Sequence, residues 1–196
     1  MTTSYPAPAF EGHSRTLAHN GGTLLDPRHP RVAAVFGTAD TVIMDFMMED
    51  RSYIAANDRE RERLRALVEK LDDDALSAPV NEYWTVAGVL GHIAFWDIRV
   101  LLLADKVERG EPFGPEDEEP EGDWLNDATR PLIHAIRPRD AAQFALRVAE
   151  QTDARVAELP LDRVWPQDPD SPINAKRFDH RGEHLDEVEA ALRARG

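Results

Sequence analysis

Val86, Val89, Ile93, Trp96, Val100, Leu103 and Val107 recur at alternating three- and four-residue spacing. On a helix of 3.6 residues per turn they form one continuous apolar stripe, and a stripe of that length is stable in water only when other elements cover it. Thr85, just ahead of it, offers a side-chain oxygen to cap the first turn. The rest of the chain must therefore supply apolar partners for this helix.

It supplies more helices. Residues 51–71 carry Tyr53, Asn57, Glu60, Leu64, Leu67 and Leu71 at the same alternation. Asn57 and Glu60 are polar members of that face, and such residues either sit where water reaches them or line a pocket. Pro138 opens a third pattern through Ala141, Ala145, Val148, Thr152, Val156 and Leu159. A fourth is expected to start near Asn174, a good cap, and carries Phe178, Leu185, Val188 and Leu192. Between the second and third, residues 108–123 read as a solvated acidic loop and residues 124–136 as a short helix interrupted by Pro131. With no alternating strand pattern and no repeat, these features predict an all-α fold built as a four-helix bundle. Residues 32–48 predict an additional N-terminal helix, and residues 1–30, punctuated by proline and glycine, a loosely held arm. The expected organisation is an arm at 1–30 and one bundle domain at 31–196 with its core at 51–196.

Charge and composition narrow the function. The chain has 37 acidic and 23 basic residues, a net charge of -14, and no basic patch with interleaved aromatics, so nucleic acid and anionic membrane surfaces are excluded as partners. It contains no cysteine, which removes disulfides, thiolate ligands and a cysteine nucleophile together. The most apolar run, residues 93–104, is too short to span a bilayer, and the N-terminus lacks a basic-then-apolar signal. A cytoplasmic protein acting on a small molecule is expected.

The chemistry concentrates in the fourth helix. His180 and His184 are four residues apart and present two imidazoles on one helical face, a metal-ligand spacing. His92, at the edge of the apolar stripe, is the candidate third ligand. Three neutral imidazoles without sulfur suit one divalent ion, zinc first, with nickel, iron or manganese as alternatives. Glu187, one turn beyond His184, is placed as a fourth ligand or as a carboxylate orienting an imidazole. Asn57, Glu60 and Trp96 are candidate pocket residues. Gly88, Gly91 and Gly182 predict close approach of helix backbones near these ligands. Residues 180–184 also satisfy the inverted zinc-protease string H-x-x-E-H, with Glu183 as its acid. His134 has no spaced partner and reads as structural or surface.

Two segments resemble a known family. Trp84-Thr85-Val86-Ala87-Gly88-Val89-Leu90-Gly91-His92-Ile93-Ala94-Phe95-Trp96-Asp97 is similar to the second-helix signature of the DinB-like (DinB/YfiT-like) superfamily, and Phe178 to Leu185 to its last-helix histidine pair. Many members carry glutamine where this chain has Glu183 and histidine where it has Asp179, so the chain departs from the common pattern there. The resemblance implies an up-down-down-up bundle with one divalent metal on His92, His180 and His184, frequent homodimers, and kinship with the N-terminal domain of mycothiol-dependent maleylpyruvate isomerase. It further implies a thiol-dependent S-transferase or isomerase with a low-molecular-weight thiol as cosubstrate. A metal-dependent hydrolase using bound water and a non-catalytic small-molecule-binding bundle are the alternatives.

Overall fold

The computed structural model describes residues 51–118 and 122–195; the arm expected at 1–30 and the helix expected at 32–48 lie outside the described residues. Six helices follow in order: α1 (Ser52–Lys70), α2 (Asp73–Leu76), α3 (Val86–Glu108), α4 (Gly122–His134), α5 (Pro138–Glu158) and α6 (Arg177–Arg193). Among the described residues there is no strand, only two isolated bridges, Pro79 with Thr85 and Trp165 with Asn174. The all-α expectation holds.

Local chemistry sets the helix ends. Thr85 caps α3 by accepting from the Gly88 amide at 3.0 Å, and Asp72 caps α2 by accepting from Ala75 at 2.8 Å. Pro138 occupies the first turn of α5, where its missing N–H is no loss. The last helix begins at Arg177 rather than near Asn174. Asn174 instead closes a turn on the Lys176 amide at 2.9 Å, and Asn57 of α1 caps α6 from outside, accepting from Phe178 N–H at 2.9 Å while donating to Ala175 O at 2.9 Å. Asn57 is polar on an apolar face because it stitches the start of α6 to α1.

α1 and α3 each pack on both α5 and α6 and so occupy opposite corners of the bundle. Arg51 at the start of α1 donates to Ala157 O and Leu159 O at the end of α5, and Arg139 at the start of α5 donates to Leu71 O after α1, so these two run antiparallel. Arg155 near the end of α5 pairs with Asp105 near the end of α3, making those parallel. Arg63 of α1 bonds Asp186 and Glu189 in the second half of α6, and these also run together. The order is up-down-down-up, and the parallel α3–α5 step needs the long crossover that contains α4. α3 is long and apolar enough to cross a membrane, but 67% of its most apolar window is buried inside the bundle, where it forms the core.

A charged layer divides that core. Arg181, with no solvent exposure, donates to Asp97 Oδ2 from Nε and Nη2 at 3.1 and 2.8 Å, and from Nη1 to both oxygens of Asp153 at 2.8 Å. Arg177 Nε donates to Asp97 Oδ1 at 2.9 Å, and Arg61 Nη1 to Asp153 Oδ2 at 2.8 Å. All four long helices contribute. On one side lies an apolar cluster with Leu64, Leu90, Ile93 and Leu185, on the other a cluster with Tyr53, Leu103, Val156 and Ile173.

The crossover is less solvated than its composition suggests. Asp117, in a 3-10 turn over Pro115–Asp117, is buried and accepts from Lys106 Nζ at 2.6 Å, and Arg99 of α3 donates to its carbonyl. At two of the three glycines expected to mark close backbone approach a neighbour does leave no room for a Cβ, but the crowding atoms are side chains of α4 rather than a facing backbone. A Cβ at Gly91 would lie 2.6 Å from Ile133 Cγ2, and one at Gly88 would lie 2.8 Å from His134 Nε2, so α4 is seated on α3 through them. At Gly182 the nearest atom would be Glu60 Oε2 at 3.7 Å, an ordinary contact, because α6 meets α1 there through a long flexible side chain.

Two expectations follow. Asp97→Asn leaves two buried guanidinium groups undercompensated and lowers stability by about 3–5 kcal/mol, whereas Asp58→Asn, on the exposed flank of Arg61, changes it by less than about 1 kcal/mol; urea midpoints compare them. Gly91→Ala costs about 1–3 kcal/mol by overpacking, while Gly182→Ala gains roughly 0.5–1 kcal/mol from helix propensity. Equal midpoint shifts for the two glycine variants would contradict the seating of α4.

Candidate metal centre

α3 places His92, and α6 places His180 and His184 one turn apart on the facing stripe. The ring centroids are 5.3 Å apart for His92 and His180, and 4.7 Å for each of the other two pairs. One nitrogen from each ring lies within 4.8 Å of the other two. The antiparallel course of α3 and α6 brings residues so distant in sequence to one level.

The nitrogens are oriented as well as near. His180 Nε2 and His92 Nε2 face each other at 3.3 Å. His184 Nδ1 donates to Glu187 Oε2 at 3.0 Å, which leaves its Nε2 for the common point and gives Glu187 the orienting role of the two considered for it. Two nitrogens each about 2.0–2.1 Å from one tetrahedral ion stand about 3.3 Å apart, so the spacing fits a metal. Facing nitrogens of neutral imidazoles can share only one proton, and a third lone pair aimed at the same point is repulsive unless a cation accepts all three. The donor set therefore fits a divalent ion held by three nitrogens.

Electrostatics keep the rings in the ligating form. Burial pushes the His92 pKa down to about 4, with a smaller contribution from His184. Burial also lowers His180, to about 2, assisted by the positive charge of Arg177 and then by His184, His92 and Arg181. Neutral imidazole is the form that binds metal.

The trio opens onto a cavity of about 350 Å³ whose wall also includes Trp84, Trp96, Arg99, Asn126, Arg177 and Glu187. Trp96 Nε1 donates to Asn126 Oδ1 at 3.2 Å, tying α3 to α4 across the opening. Trp84 lies 5.5 Å from both the His92 and His134 rings. His134 is exposed and packs over Gly88, without a part in the trio.

Of the residues expected in the pocket, Trp96 lines it and Asn57 and Glu60 do not. Asn57 is 2% exposed and committed to the α6 cap, and Glu60 accepts from Arg63 at 3.3 Å on the α1–α6 surface. Glu183 is exposed, since its position turns it away from the cavity, so the acid that the H-x-x-E-H string requires is not beside the histidines. The residues that sequence reasoning missed are Arg177, Arg99 and Asn126. Arg177 had a signal: positions 177, 180, 184 and 187 form one helical stripe, and all four side chains line the cavity.

Residues 56–192 match the family model of the DinB superfamily, and the chain belongs to that superfamily. No curated protein and no solved structure matches it.

The depressed histidine pKa values fix a pH dependence for the metal-free protein. An unfolded chain takes up protons near pH 6.5 that the folded His92 and His180 refuse, so stability present above that pH is lost as pH falls, down to about 4 for His92 and lower for His180. Each group contributes up to about 1.4 kcal/mol per pH unit in its window. Urea midpoints at pH 7.5 and 5.5 should drop for the wild type and drop less for His92→Gln. Equal drops would mean that His92 is not held neutral by the fold.

Proposed function

We propose that this DinB-superfamily chain is a divalent-metal-dependent enzyme that activates a low-molecular-weight thiol for transfer or isomerisation, with His92, His180 and His184 holding the metal, zinc first among the candidates. The observation that carries the reading is the convergence of three imidazole nitrogens, two of them 3.3 Å apart, in the wall of a cavity of small-molecule size. A divalent ion bound there supplies Lewis acidity, which lowers the pKa of a thiol or a water enough for attack at neutral pH.

The chain's own residues do the rest. Burial holds His92 and His180 neutral with their lone pairs available. Glu187 fixes the ring of His184 and makes its Nε2 the more basic. Trp84 and Trp96 provide apolar walls that exclude water from the reacting groups and receive the body of a small molecule. Because the chain has no cysteine, the thiol arrives as a cosubstrate. This reading implies a reducing compartment, hence a cytoplasmic protein.

The test is elemental analysis of the purified, untagged protein beside His92→Ala and His184→Ala, followed by assay against small electrophiles with and without added thiol. About one equivalent of a transition metal is expected in the wild type and a loss of most of it in both variants. Turnover should require thiol. Turnover without thiol would favour the hydrolase, and failure to take up metal on reconstitution would leave a small-molecule-binding bundle.

A further inference from the structure

Arg177 is 6% exposed, yet its guanidinium is only partly engaged: Nε donates to Asp97, while Nη2 is buried with no hydrogen-bond partner among the described residues. A buried charged donor without an acceptor is costly, and such a group calls for one. The charge around it is unbalanced in the same direction. Asp97 is shared between Arg177 and Arg181, and Asp153 between Arg181 and Arg61, so among the described residues three guanidinium groups meet two buried carboxylates. Asp58, which also touches Arg61, lies on that residue's exposed side.

This cation faces the site. Arg177 lines the cavity, one helical turn before His180 on the same stripe of α6. Arg99, held by the carbonyls of Pro172 and Asp117, puts a second positive charge in the wall. Among the described residues the only carboxylate in that wall is Glu187, which is already engaged by His184. In a chain of net charge -14 the cavity is thus a local positive region, and a field of that sign selects anions.

We propose that Arg177 anchors a carboxylate of the molecule that enters this cavity, so that the substrate class is a small organic acid whose apolar or aromatic body lies on Trp84 and Trp96. A guanidinium presents a planar fork of donors that matches the two oxygens of a carboxylate, and Asp97 holds this one in place. The rise from residue 177 to 180 is about 4.5 Å, so an acid bound at Arg177 carries atoms roughly three bonds from its carboxylate toward the imidazoles. The inference rests on the reading of this cavity as the reaction site.

The test is titration of the full chain with benzoate and with benzamide, which has the same shape without the charge, following tryptophan fluorescence. It is run on metal-loaded and on chelated protein. Benzoate should bind at least about tenfold more tightly than benzamide in both forms. Arg177→Gln should reduce benzoate to the level of benzamide and leave benzamide unchanged. Arg177→Lys, which keeps a charge beside Asp97 but loses the fork, should weaken benzoate by about tenfold and keeps the test open should the glutamine variant not fold. Benzoate binding no tighter than benzamide in the wild type, or a preference that survives in either variant at wild-type strength, overturns the assignment. A preference seen only with metal would put the carboxylate on the ion, which overturns the Arg177 anchor while leaving the metal reading intact. A preference that depends on Arg177 in a protein that takes up no metal would uphold the anchor and reject the enzyme reading.

Discussion

The bundle is organised around one buried ionic contact, the carboxylates of Asp97 and Asp153 closing on the guanidinium of Arg181. Pairs of this kind contribute little net stability relative to apolar side chains of the same volume, because desolvating the charges offsets much of their attraction. Their geometry is demanding, however. Arg181 can satisfy its donors only when α3, α5 and α6 stand at one level and one rotation, and Arg61 adds α1 to the same condition. The apolar clusters on either side are built mostly from leucine, isoleucine, valine and alanine, which tolerate sliding, so the ionic layer is the element that sets helix register.

The site inherits that register. Successive residues on a helix are turned by about 100°, so when Arg181 points to the bundle centre, His180 beside it points to the cavity and His184 follows one turn on. Asp97 has the matching position on α3: it faces inward to the two arginines while His92, five residues earlier, faces the histidine pair. The same side chains that hold the helices in place thus determine where the three imidazoles meet. Arg177 belongs to both sets, bonded to Asp97 behind it and lining the cavity in front.

Much of this was legible in the sequence, and the boundary has a physical cause. Periodic apolar stripes announced the four long helices, since burial of a stripe is a local and repetitive demand. His180 and His184 were legible because ligand spacing on a helix is local, and His92 because a histidine at the edge of an apolar stripe stands out; the resemblance implied the same three. The ionic layer was not, because Arg and Asp at single positions have the composition of a solvated surface and only tertiary contact shows them to be buried. Asn57 was noticed as odd on its face, but the two readings considered for it, water access and pocket lining, omitted the third: a side chain from one helix capping another. Gly182 misled for a related reason. Glycine in a helix signals a close approach only if a neighbour is there to make it, and the neighbour at Gly182 is the end of the Glu60 side chain, whereas Gly91 lies against the branched side chain of Ile133.

The donor set also bears on which species the cavity favours. Three neutral imidazoles contribute no negative charge, so under the proposed reading a divalent ion at this point keeps nearly its full charge, with Arg177 and Arg99 adding to it from the walls. Placing a dication near buried guanidinium groups is repulsive, and Asp97 relieves that repulsion by pairing with Arg177 and Arg181, as Asp153 does by pairing with Arg181. What remains, on that reading, is a positive potential at this cavity within a strongly acidic chain. A potential of that kind lowers the pKa of any thiol or water brought into it and favours the thiolate, the hydroxide or a carboxylate over their neutral counterparts. On that reading the arginines are more than scaffold: they bias the same ionisation that a metal held by the three histidines would promote.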